Sequence, residues 1–403
     1  MPDDHAIDAR TVLDTGRANQ HDRWSQGSGS AAERIGARIV VPEAARSFDA
    51  SADDTFFAIG SCFARNVEER LEQAGAAVSS RRIAVEGLGH QAAREGGVFN
   101  KYTPLSILQE LRWAAGTEPY PEAALLPAGD QLYDPYLSPK AERGDVATLM
   151  ARRDQIRAYF AQAFEADIVV LTLGLIETWI DRETGLTLND APLPRLLARN
   201  PDRFAFRRLE LEDCEAALEE SLALLRAHGK AGQRVVITVS PVPLGRTFTG
   251  EDVIVANTLS KATLRVAAQR VIARHDGVDY FPSFEAVTMS DPELAWRGDR
   301  RHVGEFIVGR IIGTFLDRYG IAPKSASGDA AEDPALDDGQ EADPKDALIG
   351  QLTRQVNRYK NGIILLQRDI RQMRAAEDDA KEAVVPKPGD NEDDSRQSAL
   401  GRS

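Results

Sequence analysis

The chain has 403 residues, 42% of them hydrophobic, and a formal net charge of −14. One domain of about 250–300 residues with appendages fits that length better than two equal halves. The acidic balance argues against a nucleic-acid partner, which needs clustered Lys and Arg, and no run approaches the roughly eighteen apolar residues of a membrane span.

The start, Met1-Pro2-Asp3-Asp4-His5, is polar and acidic, with none of the apolar core of a signal peptide. Cys62 and Cys214 are the two cysteines, with no C-x-x-C spacing, so neither a disulfide framework nor a cysteine metal site is expected. These features point to a soluble, cytoplasmic protein. Residues 1–34 read as a poorly ordered lead-in, and Ile39-Val40-Val41 is a weak strand candidate.

From Thr55 the pattern becomes regular. Apolar runs suited to buried parallel strands occur at 55–59, 167–173, 234–239 and 278–281. Amphipathic helical stretches lie between or after them, near 63–75, 103–115, 144–164, 207–228, 251–274 and 303–319. Short apolar runs alternating with such helices predict an α/β domain with a mainly parallel sheet, over about residues 35–322. Ligands of such sheets bind beyond the carboxyl ends of the strands. Three loops meet that description: the one with Ser61, the one from Gly174 to Trp179, and Ser240-Pro241-Val242-Pro243.

Residues 323–345 are acidic with Pro, Gly and Ser and read as a disordered linker. Beyond it Leu352, Val356, Tyr359, Ile363, Leu366, Ile370 and Met373 recur at spacings of four and three, so 346–375 reads as a heptad helix. Self-association into a homo-oligomer is the favoured use of that seam; docking on the chain's own core and binding of another partner are the alternatives. Residues 376–403 read as a disordered acidic tail.

Two short segments carry the chemistry. In Phe57-Ala58-Ile59-Gly60-Ser61-Cys62 a buried strand turns through Gly60-Ser61 into a helix. A serine hydroxyl there meets free backbone N–H groups and the positive end of the helix dipole, which stabilise an oxyanion; an ordinary helix cap reads the same way. Cys62 competes as a thiolate nucleophile, though a small buried core residue is the plainer reading. Of six histidines, only His302 follows an acid by three residues in a Trp- and Gly-marked context, Trp296-Arg297-Gly298-Asp299-Arg300-Arg301-His302. That spacing lets Asp299 bind one ring nitrogen and leaves the other for a serine; a surface turn is the alternative. His90 lies in a Gly-rich segment that reads as a loop near the site.

Gly60-Ser61-Cys62-Phe63-Ala64 is letter for letter the signature of the GSCFA family, and the chain resembles that family over about residues 35–320. Further stretches look like family blocks: Phe99-Asn100-Lys101-Tyr102-Thr103-Pro104, Thr172 through Trp179, Val239 through Leu244, and Asn257 with Ser260-Lys261-Ala262. The family in turn resembles the SGNH/GDSL hydrolases. That resemblance implies a flavodoxin-like three-layer α/β sandwich and a serine esterase or O-acyltransferase. It implies a Ser61-His302-Asp299 triad acting on acyl esters of sugars or polysaccharides, with no metal or organic cofactor.

Two departures stand out. The SGNH serine block carries an Asp before its Ser, where this chain has Gly60. The SGNH Gly-x-Asn-Asp block aligns with Gly174-Leu175-Ile176-Glu177, so the Asn that donates to the oxyanion is replaced by Ile. Asn100 and the backbone N–H of Ser61 or Cys62 are the expected substitutes. Glu177 is left to bind substrate hydroxyls, hold a neighbouring base or pair with an Arg. A non-catalytic binding or scaffolding module on the same fold, self-associating through the C-terminal helix, is the alternative function.

Overall fold

A computed structural model describes residues 6–321 apart from 52, 83–84, 86–96 and 138–142. His90, the linker 323–345, the heptad segment 346–375 and the tail 376–403 lie outside the described residues. Two helices, α1 (Ala9–Ala18) and α2 (Ala31–Gly36), come first. Strand β1 (Thr55–Gly60) runs into α3 (Cys62–Gln73), then β2 (Ala77–Val78) and α4 (Pro104–Ala115). A hairpin of β3 (Leu126–Ala128) and β4 (Gln131–Tyr133) precedes α5 (Val146–Glu165) and β5 (Ile168–Leu173). Next come β6 (Glu177–Asp181), β7 (Thr187–Leu188), α6 (Pro194–Arg199) and β8 (Phe204–Arg208). The core continues with α7 (Leu211–His228), β9 (Arg234–Val239), α8 (Val253–Ile272) and β10 (Val278–Tyr280). Helices α9 (Ser283–Met289), α10 (Pro292–Ala295) and α11 (Glu305–Tyr319) complete the described chain.

The central sheet has the order β10-β9-β5-β1-β2, with every pair parallel. Counting these five strands along the chain gives 2-1-3-4-5, the flavodoxin-like order, with its switch point between β1 and β5. Both faces are covered, which is why the strands read as unbroken apolar runs. Phe57 and Ile59 of β1 and Val169, Leu171 and Leu173 of β5 face one core, with Leu111 of α4, Phe160 of α5, Leu218 of α7 and Leu264 of α8. Phe56, Ala58, Ile168 and Val170 face the other, with Phe63 and Leu71 of α3, Ala286 of α9 and Ile311 and Phe315 of α11. Each such Phe, Leu or Ile contributes about 1.5–3 kcal/mol through burial. The result is a three-layer α/β sandwich, as expected.

The sequence pattern did not foretell the antiparallel sheet β7-β6-β8. Residues 207–208, placed at the start of a helix, instead pair with Thr178 and Glu177, and the helix begins at Leu211. The segment Ile39-Val40-Val41 forms no strand. Val40 is buried and its N–H donates to the Ser290 hydroxyl at 2.9 Å, pinning the segment to the domain by a side chain instead of a ladder.

No described helix is long and apolar enough to cross a membrane.

Candidate active site

A cavity of about 690 Å³ opens at the carboxyl ends of β1, β5 and β9, on the switch point of the sheet. Ser61, Cys62, Asn100, Gly174, Glu177 and His302 all line it. Gly60 precedes Ser61 in the turn, and Asp299 is hydrogen-bonded to His302; neither lines the cavity itself. The three loops picked out by their strand ends therefore meet in one place.

Ser61 follows β1 directly and caps α3, its hydroxyl accepting from Phe63 N–H at 3.3 Å. The same hydroxyl lies 3.4 Å from the Thr172 hydroxyl, and Ser61 is only 3% exposed. Gly60 makes this turn possible. Its φ is +141°, and a Cβ there would sit 2.2 Å from the Thr172 carbonyl oxygen, so no side chain fits. Gly174 is confined as well, since a Cβ would meet the Tyr102 carbonyl oxygen at 2.7 Å and the Ser61 Cβ at 3.3 Å.

His302 and Asp299 share a tight turn closed by the Trp296–Val303 bridge and by Arg297 N–H donating to the His302 carbonyl at 2.7 Å. Arg300 takes a left-handed φ of +54° at its tip. Asp299 Oδ1 accepts the N–H groups of Arg301 and His302, each at 3.0 Å, as Asp does in such turns. Its other oxygen takes His302 Nδ1 at 2.5 Å. A carboxylate acceptor makes Nδ1 the protonated nitrogen and leaves Nε2 a base. Burial works to raise the Asp299 carboxyl, but the His302 N–H and ring and the Arg301 N–H outweigh it and hold it below its ordinary value. His302 and Asp299 are about half exposed, with side-chain values of 48% and 49%. No hydrogen bond joins the Ser61 hydroxyl to His302 among the described residues, although both line the cavity.

The anticipated oxyanion donors sort themselves by what they already bind. Ser61 N–H donates to the Thr172 carbonyl at 3.1 Å and Gly174 N–H to the Tyr102 carbonyl at 3.1 Å. Cys62 N–H, first in α3, has no acceptor among the described residues, as the opening turn of a helix requires. Asn100 is 4% exposed, its Nδ2 is 3.5 Å from the Tyr102 hydroxyl, and its Oδ1 has no partner among the described residues. Gly97, with φ +64°, leaves that amide room, for a Cβ would approach Nδ2 to 2.8 Å. Burial pushes the Tyr102 hydroxyl up to about 12, so it stays protonated beside the amide.

Glu177 spends both oxygens on the loop above it, accepting from the Thr247 hydroxyl at 2.6 Å and Phe248 N–H at 3.1 Å. Cys62 is half-buried at the cavity wall. Burial raises its thiol above the ordinary value, against the pull of Arg301 and Lys261, which disfavours a thiolate nucleophile.

One set of residues had a role that the sequence did not disclose. Asn257, Ser260 and Lys261 stand at i, i+3 and i+4 on α8, on one face of the helix. Asn257 Oδ1 accepts Leu244 N–H at 3.1 Å, and the Ser260 hydroxyl accepts Ile176 N–H at 3.0 Å. Lys261 Nζ donates to the carbonyls of Gly174 and Val242 at 2.7 and 2.8 Å. The helix thus fastens the loops after β5 and β9 to each other. Lys261 is 1% exposed, and burial brings its amine down to about 7. A second buried group supports the Asn100 loop: Lys101 Nζ meets Glu110 at 2.8 Å, and Arg153 bridges Glu110 and Asp134 at 3.0 and 2.6 Å.

Fold and site together define an α/β protein of flavodoxin-like strand order with a serine and an Asp-held histidine on one switch-point cavity. The chain belongs to the GSCFA family, whose model matches residues 55–315. No curated protein and no solved structure matches it.

Proposed function

We propose that the protein is a serine-dependent esterase or O-acyltransferase acting on acyl esters, with sugars or polysaccharides as the alcohol. The observation that carries this reading is the joint placement of Ser61 and the Asp299-bound His302 on one cavity at the β1–β5 switch point. For attack, the Ser61 hydroxyl swings from its 3.4 Å contact with Thr172 toward His302 Nε2. Nε2 takes the proton as Oγ bonds to the ester carbonyl carbon, and Asp299 stabilises the imidazolium that forms. Cys62 N–H and Asn100 Nδ2 hold the tetrahedral oxyanion. Its collapse breaks the bond to the alkoxide, which leaves with the proton from Nε2. Water or a second hydroxyl then repeats the sequence on acyl-Ser61.

The departure from the SGNH blocks is consistent with this assignment. Ile176 is buried in the core, and Asn100 reaches the cavity from a different loop. The direct test is release of nitrophenol from a 4-nitrophenyl acyl ester by the full chain and by Ser61→Ala and His302→Ala. Loss of turnover in both variants is expected; equal rates in all three proteins would exclude the reading for simple esters and leave a binding or scaffolding role.

A further inference from the structure

The cavity wall is rich in arginine. In a chain of net charge −14, it carries Arg65, Arg246, Arg297 and Arg301 with the acids Glu177 and Asp190. Two of the arginines are neutralised: Arg65 by Glu68 at 2.9 Å and Arg297 by Glu305 at 3.1 Å. Glu177 is committed to Thr247 and Phe248 N–H. Asp190 gives one oxygen to Ala191 N–H at 2.8 Å and pairs with no arginine among the described residues.

Arg301 and Arg246 have no carboxylate partner among the described residues. Arg301 lies between Asp299 and His302 in sequence, so the turn that aims the imidazole also sets its guanidinium. That group rests on Gly245, where a Cβ would come within 2.7 Å of Nη2. Arg301 lines the same cavity as Ser61, Cys62 and Tyr102. Arg246 stacks over Phe248 at 5.0 Å, and Phe248 packs on Trp179 and Phe206 at 5.2 and 5.9 Å. The wall is thus aromatic on one side, with two guanidinium groups near it that have no carboxylate partner among the described residues.

We propose that Arg301, assisted by Arg246, binds a carboxylate on the alcohol part of the substrate, so that the cavity selects acyl esters of acidic sugars over those of neutral ones. A planar guanidinium fork matches a carboxylate in two parallel hydrogen bonds, which a neutral hydroxyl cannot reproduce. The aromatic wall offers a face for the sugar ring. The turnover arm of the test rests on the function proposed above; the binding arm does not.

The experiment compares an O-acetylated methyl glucuronoside with the matching O-acetylated methyl glucoside, using the full chain and Arg301→Gln. In parallel, calorimetry measures binding of unacetylated methyl glucuronoside and methyl glucoside to Ser61→Ala, with and without Arg301→Gln. Thermal melts of each variant check that it folds. The expected preference for the uronate is about tenfold or more in both arms, falling toward one in Arg301→Gln, because a charge-assisted pair is lost. Uronate-selective binding that depends on Arg301, with no turnover of either ester, would support this inference and remove the catalytic one. Turnover of both esters at equal kcat/KM with equal binding would overturn the inference and leave the catalytic reading standing. Equal loss on both sugars in Arg301→Gln would overturn it too.

Discussion

Replacing Lys261 with Met tests how the floor of the cavity is held. The amine is buried, and two backbone carbonyls are its hydrogen-bond acceptors. Burial, opposed only by the Cys62 thiol, lowers it from 10.5 to about 7. The unfolded chain keeps this proton up to the ordinary value, while the folded chain releases it near neutrality. Between those values the unfolded state holds more protons, so stability rises with pH across the window and the gain is lost as pH falls through the folded value. Each tenfold difference in proton affinity between the two states corresponds to about 1.4 kcal/mol, so between about pH 7 and pH 9 wild type gains roughly 2 kcal/mol that Met cannot supply. Urea unfolding of both proteins at several pH values reads the difference, in which other titrating groups cancel. Met keeps most of the volume, so the variant folds, with the Gly174 and Val242 carbonyls left unsatisfied at a cost of about 1–3 kcal/mol each. Parallel stability profiles for the two proteins would refute the placement of a neutral lysine beneath the site.

Asp299→Asn keeps the turn but allows the wrong imidazole tautomer, so kcat should fall about 10³- to 10⁴-fold, measured on the 4-nitrophenyl ester; a loss under tenfold would detach Asp299 from the chemistry. Asn100→Ala should lower kcat about 10²- to 10³-fold with little change in KM, and a change in KM alone would make it a substrate contact instead of an oxyanion donor. Gly60→Ala forces a Cβ against Thr172 at a positive φ and should cost about 2–5 kcal/mol in chemical denaturation; an unchanged midpoint would mean that the turn relaxes freely.

Where local chemistry decides structure, the sequence was legible. Unbroken apolar runs marked β1, β5, β9 and β10 because strands covered on both faces have no polar side to alternate. The Asp299–His302 contact was one of two readings that the spacing allowed, a capped surface turn being the other, and Asp299 both caps the turn and meets the ring. The sheet β7-β6-β8 was hidden because Phe204-Ala205-Phe206-Arg207-Arg208 is short, half-buried and runs into a helix of similar composition. The clamp from α8 was hidden for another reason. Asn257, Ser260 and Lys261 share a helical face in any reading, but their acceptors and donors lie in loops that only the assembled sheet brings near. Arg301 was passed over because its sequence neighbours explained the segment without it. Residues that act across the fold leave little local signal.

The central claim is that Ser61 is a nucleophile activated by His302. Incubating the full chain with a fluorophosphonate probe and mapping the adduct by peptide mass spectrometry tests it most directly. The account predicts a phosphonyl group on Ser61, absent from Ser61→Ala and formed far more slowly in His302→Ala. An unlabelled Ser61 in folded wild type, or labelling at the same rate without His302, would contradict it.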